Sequence, residues 1–120
     1  MPKSASPNDI RTTTIASGAN VSQNIRHEMC RGIAVLPETT WTAADIVFDV
    51  LIGSTWYPLM DKTGVRVRIS GVVADKVNVA PAEAWALGRF DAFRLVSVTV
   101  GAETAVNQAA ARTVKVVILE

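Results

Sequence analysis

The chain has little cysteine and little histidine, since Cys30 and His27 are the only ones in 120 residues. A single cysteine excludes an intramolecular disulfide, and two potential ligands are too few for a Cys/His zinc site. Residues 27 and 30 would point to opposite faces of a strand, so the imidazole is badly placed to take the thiol proton. We interpret Cys30 as a buried structural residue and His27 as a surface residue, and an enzyme built on this pair is the weakest alternative.

The chain also lacks an excess of charge of either sign. Twelve Lys and Arg residues stand against eleven Asp and Glu residues, so the formal net charge is +1. A balanced charge gives no general attraction to nucleic acid or to an acidic membrane. No apolar run reaches the length of a bilayer span, and the first nine residues lack the apolar centre of a signal peptide. We expect a soluble protein that is made in a reducing cytosol and has neither nucleic acid nor membrane as a partner.

Nucleotide-binding and hydrolase motifs are missing as well. The sequence contains no GxGxxG, GxxxxGK[ST] or GxSxG pattern, so the common layouts for phosphate binding and for a nucleophilic serine lack their markers. Three carboxylates, Asp45, Asp49 and Asp61, could in principle hold calcium, but they lack the ligand order of an EF-hand, and Asp61 fits a turn. We expect no enzyme, no cofactor and no metal, with the calcium site as an open alternative.

What the chain does contain is a series of short runs rich in Val, Ile and Thr, separated by turn residues. Such spacing is typical of β-sandwiches and barrels. Hydrophobic residues make up 49% of the chain, enough for one core in a domain of this length. We predict an all-β fold, an antiparallel β-sandwich of jelly-roll type with about eight strands and one short helical turn over 81–88. The strands are drawn from residues 10–15, 21–26, 29–36, 43–52, 55–60, 65–69, 72–79, 93–100 and 112–119.

The first ten residues differ in composition from the rest. Prolines, serines and an Asn-Asp pair favour an extended polar arm over 1–10, followed by a single sandwich domain over 11–120. An extended arm can lie across a subunit boundary, so we expect it to contact a partner. The expected contact residues are Pro2, Lys3, Pro7, Asn8 and Ile10.

Arginine and valine alternate strictly in the run from Val65 to Ile69, which gives a strand with one apolar face and one cationic face. Arg66 and Arg68 could form a basic stripe for nucleic acid. The balanced net charge favours a second interpretation, in which they form a solvated face or pair with acidic groups on a protein partner. Both residues are therefore candidate partner contacts.

Aromatic residues are few, but each can bury a large area. We expect five of them to supply much of the core: Trp41, Phe48, Trp56, Trp85 and Phe93. Since β-sandwiches that bind sugars present aromatic rings for stacking, Trp56 and Tyr57 form an alternative glycan platform.

The final strand, Arg112 to Leu119, alternates so that Val114, Val116 and Ile118 share one face. The segment before it, Val106 to Thr113, resembles the "vNQaaaRT" ending of small structural proteins of tailed-bacteriophage virions. Further segments resemble other parts of that family's pattern: residues 14–20 its "tIasGa", residues 32–44 its "gi.mP..Wt.A", residues 46–48 its "ltF", and residues 56–61, with Gly64 after them, its "w.plyD" and "dG" turn. The resemblance runs from Thr12 to Leu119.

Two departures accompany the resemblance: the "sDG" after the central strand is replaced by residues 51–54, and residues 80–91 form a longer insertion. The resemblance implies a capsid decoration protein of jelly-roll type that binds the major capsid protein, associates with itself and stabilises the shell. Its location would then be the virion surface, after synthesis in the bacterial cytoplasm. The alternative is a tail-associated or surface carbohydrate-binding module for host attachment.

Overall fold

The computed structural model describes residues 9–26 and 31–119, and these form eight strands and one short helix. The strands are arranged in two four-stranded antiparallel sheets. Their bounds are β1 Asp9–Ile15, β2 Gly32–Pro37, β3 Asp45–Ile52, β4 Thr55–Pro58, β5 Arg68–Ile69, β6 Asn78–Val79, β7 Ala92–Val98 and β8 Arg112–Leu119, with a 3₁₀ helix at Ala82–Arg89. The predicted all-β class with about eight strands and one helical turn is confirmed, and the jelly-roll topology stays a prediction.

The first sheet has the order β1-β8-β2-β6. The alternation predicted for β8 is confirmed, because Val114, Val116 and Ile118 are fully buried while Thr113 and Lys115 are exposed. Neighbouring strands continue the buried face, since Ile33 pairs with Ile118 and Val35 pairs with Val116. This sheet therefore turns one face to the core and leaves the other open.

The second sheet is built around β3. Strand β7 pairs along residues 45–51 of β3, while β4 and β5 pair with its two halves. Ile46, Phe48 and Val50 point into the core that lies between the sheets. The alternate residues Asp45, Val47 and Asp49 lie on the outer face of the second sheet.

Three predicted strands lose most of their predicted length. Residues 21–26 form isolated bridges to β1 and β7 in place of a strand, and only Arg68–Ile69 of the run 65–69 pairs with β3. In the stretch 72–79, the Asn78 side chain bonds the backbone of Val73 and Lys76. Side-chain bonds of this kind offer the backbone an alternative to a sheet ladder, and only Asn78–Val79 joins β2.

The predicted helical turn is present but differs in type and end. Pro81 stands directly before a 3₁₀ helix, and the helix continues through Gly88 to Arg89 before Phe90 becomes extended. Gly88 is buried inside the helix, so the predicted stop falls one residue short. No helix in the described part of the chain has the length and apolar character needed to cross a membrane.

The aromatic core prediction is correct for three residues and wrong for two. Phe48 and Phe93 are fully buried and Trp41 is 9% exposed. Trp56 is only half-buried, and Trp85 is 49% exposed. The sequence pattern could not distinguish these two exposed positions from the three buried ones. Trp56 lies on the outer face of β4, and Trp85 lies on the open side of the 3₁₀ helix.

Candidate functional site

The outer face of the second sheet carries a continuous network of paired charges, which we call the charge ladder. Arg68 Nη1 lies 2.7 Å from Asp45 Oδ2, and its Nη2 contacts Glu103. The other oxygen of Glu103 lies 3.2 Å from Arg66 Nη1, and Arg66 Nη2 lies 2.6 Å from Asp49 Oδ1. Arg94 Nη2 completes the series at 3.0 Å from Asp49 Oδ2. The ladder therefore joins three arginines to three carboxylates with no net charge.

Asp45 is the anchor of the ladder and is fully buried. Burial raises the pKa of its carboxyl, but hydrogen bonds from the N–H groups of Gly101 and Gly71 and from Arg68 outweigh this, so the pKa lies below its usual value. Burial lowers the pKa of Arg68, but the hydrogen bonds and negative charges of Asp45 and Glu103 outweigh this effect and raise it. Asp45 thus stays ionised and holds together β5, the loop at Gly71 and the loop at Gly101.

The predicted cationic face of Arg66 and Arg68 therefore exists, and its acidic partners belong to the same chain. Arg66 contacts Asp49 and Glu103, and Arg68 contacts Asp45 and Glu103. Glu103 comes from the loop between β7 and β8, which the sequence did not connect with this face. The arginines are consequently occupied before any partner arrives.

The three carboxylates considered for calcium do not come together. Asp45 and Asp49 are bound to arginines, whereas Asp61 lies in the turn between β4 and β5, where its Oδ1 accepts from the Thr63 hydroxyl and from the N–H groups of Thr63 and Val65. These turn contacts hold the Asp61 pKa below its usual value. Across residues 9–26 and 31–119 no group of three or more metal-type side chains is assembled. The predicted turn role of Asp61 is confirmed.

Trp56 and Tyr57 sit at the end of the ladder but on opposite faces of β4. Trp56 pairs with Leu51 on the outer face, and Tyr57 pairs with Val50 on the core side at the sheet edge. The Arg94 guanidinium lies 4.4 Å from the centroid of the Trp56 ring and so stacks on one of its faces. A glycan platform at this place would therefore consist of the Trp56 ring alone, and only the face of that ring opposite Arg94 would be free to stack on a sugar.

The outer face of the first sheet has a different character. Ile10, Val117, Ala34 and Val79 pair in sequence across β1, β8, β2 and β6, so they form one straight line, which we call the apolar row. Cross-strand partners point to the same face of a sheet. Ala34 is buried at the floor of the row, while Ile10 and Val79 are 58% and 66% exposed.

A shallow apolar groove lies beside the β4–β5 turn. It has a volume of about 350 Å³, and its lining includes Leu59, Met60, Ala82 and Trp85. Met60 and Trp85 are both about half exposed. The groove adds a second place where apolar side chains face outwards.

A polar clamp closes the end of the sandwich between residues 40–42 and residues 108–112. The buried Gln108 amide accepts from Thr42 N–H at 2.9 Å and donates to the Thr42 carbonyl at 3.2 Å. Arg112 donates from Nη1 to Thr40 Oγ1 at 2.7 Å and from Nη2 to Thr42 Oγ1 at 3.2 Å. Two segments that carry the phage resemblance, Thr40–Thr42 and Gln108–Thr113, are thus bound to each other.

Several predicted site residues lie outside the part of the chain that the structure describes. These are Pro2, Lys3, Pro7, Asn8, His27 and Cys30. Of the predicted arm contacts, Ile10 is described, and it belongs to β1, where it pairs with Val117.

Comparison with known proteins gives a fold relationship. No protein-family model matches the chain, and no curated protein matches it. Among solved structures, the crystal structure of SPBc2 prophage-derived protein YomS is similar, with a TM-score of 0.50 and 14% identity over 94% of this chain and 95% of that one. The two chains therefore share an arrangement of strands over nearly their full lengths.

Proposed function

We propose that this chain is a structural component of a bacteriophage virion, and that it decorates the head by binding the major capsid protein. Two observations support a phage origin: the motif resemblance over Thr12 to Leu119, and a fold similar to that of a prophage-derived protein. We further propose that it associates with itself on the particle surface and has no catalytic role.

The apolar row carries the proposal. Sheets bury apolar faces against another element, yet Ile10 and Val79 stand out from the outer face of the first sheet. The charges of the second sheet are neutralised within the chain, so charge is a poor basis for attachment there. A partner would gain most by covering the row, because burying one valine side chain contributes about 1.5 kcal/mol or more.

The experiment adds purified protein to particles that lack it and measures the amount bound. Val79→Asp places a charge in the row and should reduce binding by at least about tenfold. Val65→Asp is the matched control, because Val65 is exposed to a similar extent on the β4–β5 turn. Equal loading of the two variants would contradict the role of the row, and electron microscopy of loaded particles separates head from tail.

The N-terminal contacts need a separate test. A chain that begins at Asp9 keeps β1 whole and removes Pro2, Lys3, Pro7 and Asn8. We expect weaker loading of this chain than of the full chain at equal stability. Full loading would remove these residues from the interface.

A second candidate function is glycan binding at the end of the charge ladder. It is favoured by the partly exposed Trp56 ring beside the polar groups of Arg94 and Asp49, since sugars combine apolar and polar contacts. Trp56→Ala should then abolish binding to host glycans while Tyr57→Ala leaves it unchanged. Tail density in the particle would support this alternative, and loss of binding in both variants or in neither would contradict the one-ring site.

A further inference from the structure

Arg112 is the one described arginine that is buried without a carboxylate partner. It is 8% exposed, and its hydrogen bonds go to the neutral oxygens of Gln108, Thr40 and Thr42. Within residues 9–26 and 31–119 it forms no ion pair. A buried charge without a counter-ion is costly, so this arrangement calls for an explanation.

The rest of the chain provides the contrast. Arg66, Arg68 and Arg94 are all more exposed than Arg112, and each contacts at least one carboxylate. The fold therefore pairs its half-buried guanidinium groups with carboxylates and leaves the most buried one without a counter-ion.

Arg112 and its two threonine neighbours have hydrogen-bond donors that find no acceptor in the described part of the chain. A guanidinium has five N–H donors, and three of them are used, which leaves two. The Thr40 and Thr42 oxygens accept from Arg112, and neither hydroxyl donates to an acceptor in the described chain. Two N–H groups of Arg112 and the hydroxyl groups of Thr40 and Thr42 consequently have no acceptor within the described part of the chain.

We propose that Arg112, Thr40 and Thr42 receive a carboxylate from outside the chain, from an aspartate, a glutamate or a C-terminus of a neighbouring protein. A planar carboxylate matches two parallel N–H donors of a guanidinium. Thr40 is exposed and its Oγ1 accepts from Arg112 Nη1, so the carboxylate would approach from the Nη1 side of the guanidinium. The proposal rests on the geometry of Arg112 and does not require the chain to be a virion component.

Nuclear magnetic resonance of the arginine Nε–H groups tests the proposal on the intact chain. Sodium acetate is added at constant ionic strength, with sodium chloride as the reference salt. We expect a saturable shift of the Arg112 signal and no comparable shift of Arg66, Arg68 or Arg94, which serve as internal controls. An unchanged Arg112 signal, or an equal shift of all four signals, would overturn the proposal.

A variant that supplies its own carboxylate sharpens the test. Gln108 Oε1 lies 3.3 Å from Arg112 Nε, so Gln108→Glu places a carboxylate next to the guanidinium and should abolish the acetate shift. Gln23→Glu makes the same change at an exposed position and should leave the shift intact. Persistence of the full shift in folded Gln108→Glu would contradict the counter-ion argument, and the wild-type titration decides if that variant does not fold.

Two further arms identify the source and class of the ligand. If the Arg112 signal moves with protein concentration in the absence of acetate, the carboxylate comes from a second copy of the chain. If it moves with acetate alone, the carboxylate comes from another protein. A response to inorganic phosphate without a response to acetate would overturn the carboxylate assignment.

Discussion

The outer faces of the two sheets reverse the usual distribution of charge and apolar surface. The first sheet turns the apolar row outwards, with Val79 two-thirds exposed, while the second sheet covers Asp45 completely. Apolar residues ordinarily lie inside and carboxylates outside. In this chain the charged side chains mainly stabilise the fold, and the exposed apolar side chains are the ones left free to contact another molecule.

The reversal has a structural cause on the second sheet. Val47, Val96 and Val98 form a small second core on its outer face, with Val21 packed against it. The segment at residues 20–25 and the loop at residues 99–106 form backbone hydrogen bonds with β7 and with the residue that follows it, Thr99. A carboxylate enclosed in this way must be paired, since removing one partner of a buried pair is strongly destabilising.

The largest expected effect comes from Asp45→Asn. The change removes the charge that binds Arg68 and weakens the bonds to the Gly71 and Gly101 N–H groups. We expect the free energy of unfolding to fall by about 3–5 kcal/mol, measured by chemical denaturation. Asp75→Asn is the matched control, because Asp75 is exposed with a positive φ that asparagine also adopts. Similar losses in both variants would contradict the anchoring role.

Acid should destabilise the chain in part through Asp45 on the second sheet. The folded-state pKa of Asp45 lies below its unfolded value, so its contribution to stability is fully present above the unfolded pKa of about 3.9 and is lost as pH falls through the folded pKa. Asp61 acts in the same direction. Denaturation at several pH values below about 5 should show a smaller pH dependence in Asp45→Asn than in the wild type, and identical pH dependence would refute this assignment.

A smaller effect is expected from Arg94→Gln at the end of the ladder. This change removes the ion pair with Asp49 and the stack on Trp56. Because both contacts are partly open to solvent, we expect a loss of about 1–2 kcal/mol in the free energy of unfolding. Trp56 fluorescence should change in parallel, and Arg89→Gln, which removes the looser contact with Trp85 at 5.9 Å, should cost less. A larger loss in Arg89→Gln would reverse the ranking.

The smallest effect on the isolated chain is expected at the apolar row. Val79 is exposed at the end of a two-residue strand, so Val79→Asp should lower the free energy of unfolding by no more than about 1 kcal/mol. Thermal denaturation checks this value. A much larger loss would mean that the row supports the fold, and would remove it as a surface left for a partner.

Local pattern predicted the parts of the fold that depend on near neighbours. The alternation of Val114, Val116 and Ile118 fixed which face of β8 is buried, and Asp61 was correctly placed in a turn. The same reasoning failed for Trp85, because aromatic character states how much area a residue can bury and leaves open whether anything covers it. It also overestimated strand length at residues 72–79, where Asn78 binds the local backbone.

The candidate sites were less accessible to prediction than the strands. Arg66 and Arg68 were correctly assigned to one face, but their partner Glu103 follows them by more than thirty residues. Gln108 and Arg112 belong to the segment that carries the phage resemblance, yet their role was missed. A glutamine and an arginine that flank three alanines just before a strand are the local signal that could have drawn attention to them.

The sequence by itself determined the class of fold, the buried face of β8 and the near-zero net charge, because each follows from composition or from a period of two residues. Only the tertiary structure decided which charges neutralise one another, which apolar face stays open and which buried guanidinium remains without a carboxylate. The physical reason is distance along the chain. The Gln108 and Thr42 groups that bond in the clamp are 66 residues apart, and no local pattern records which distant segment will lie beside another.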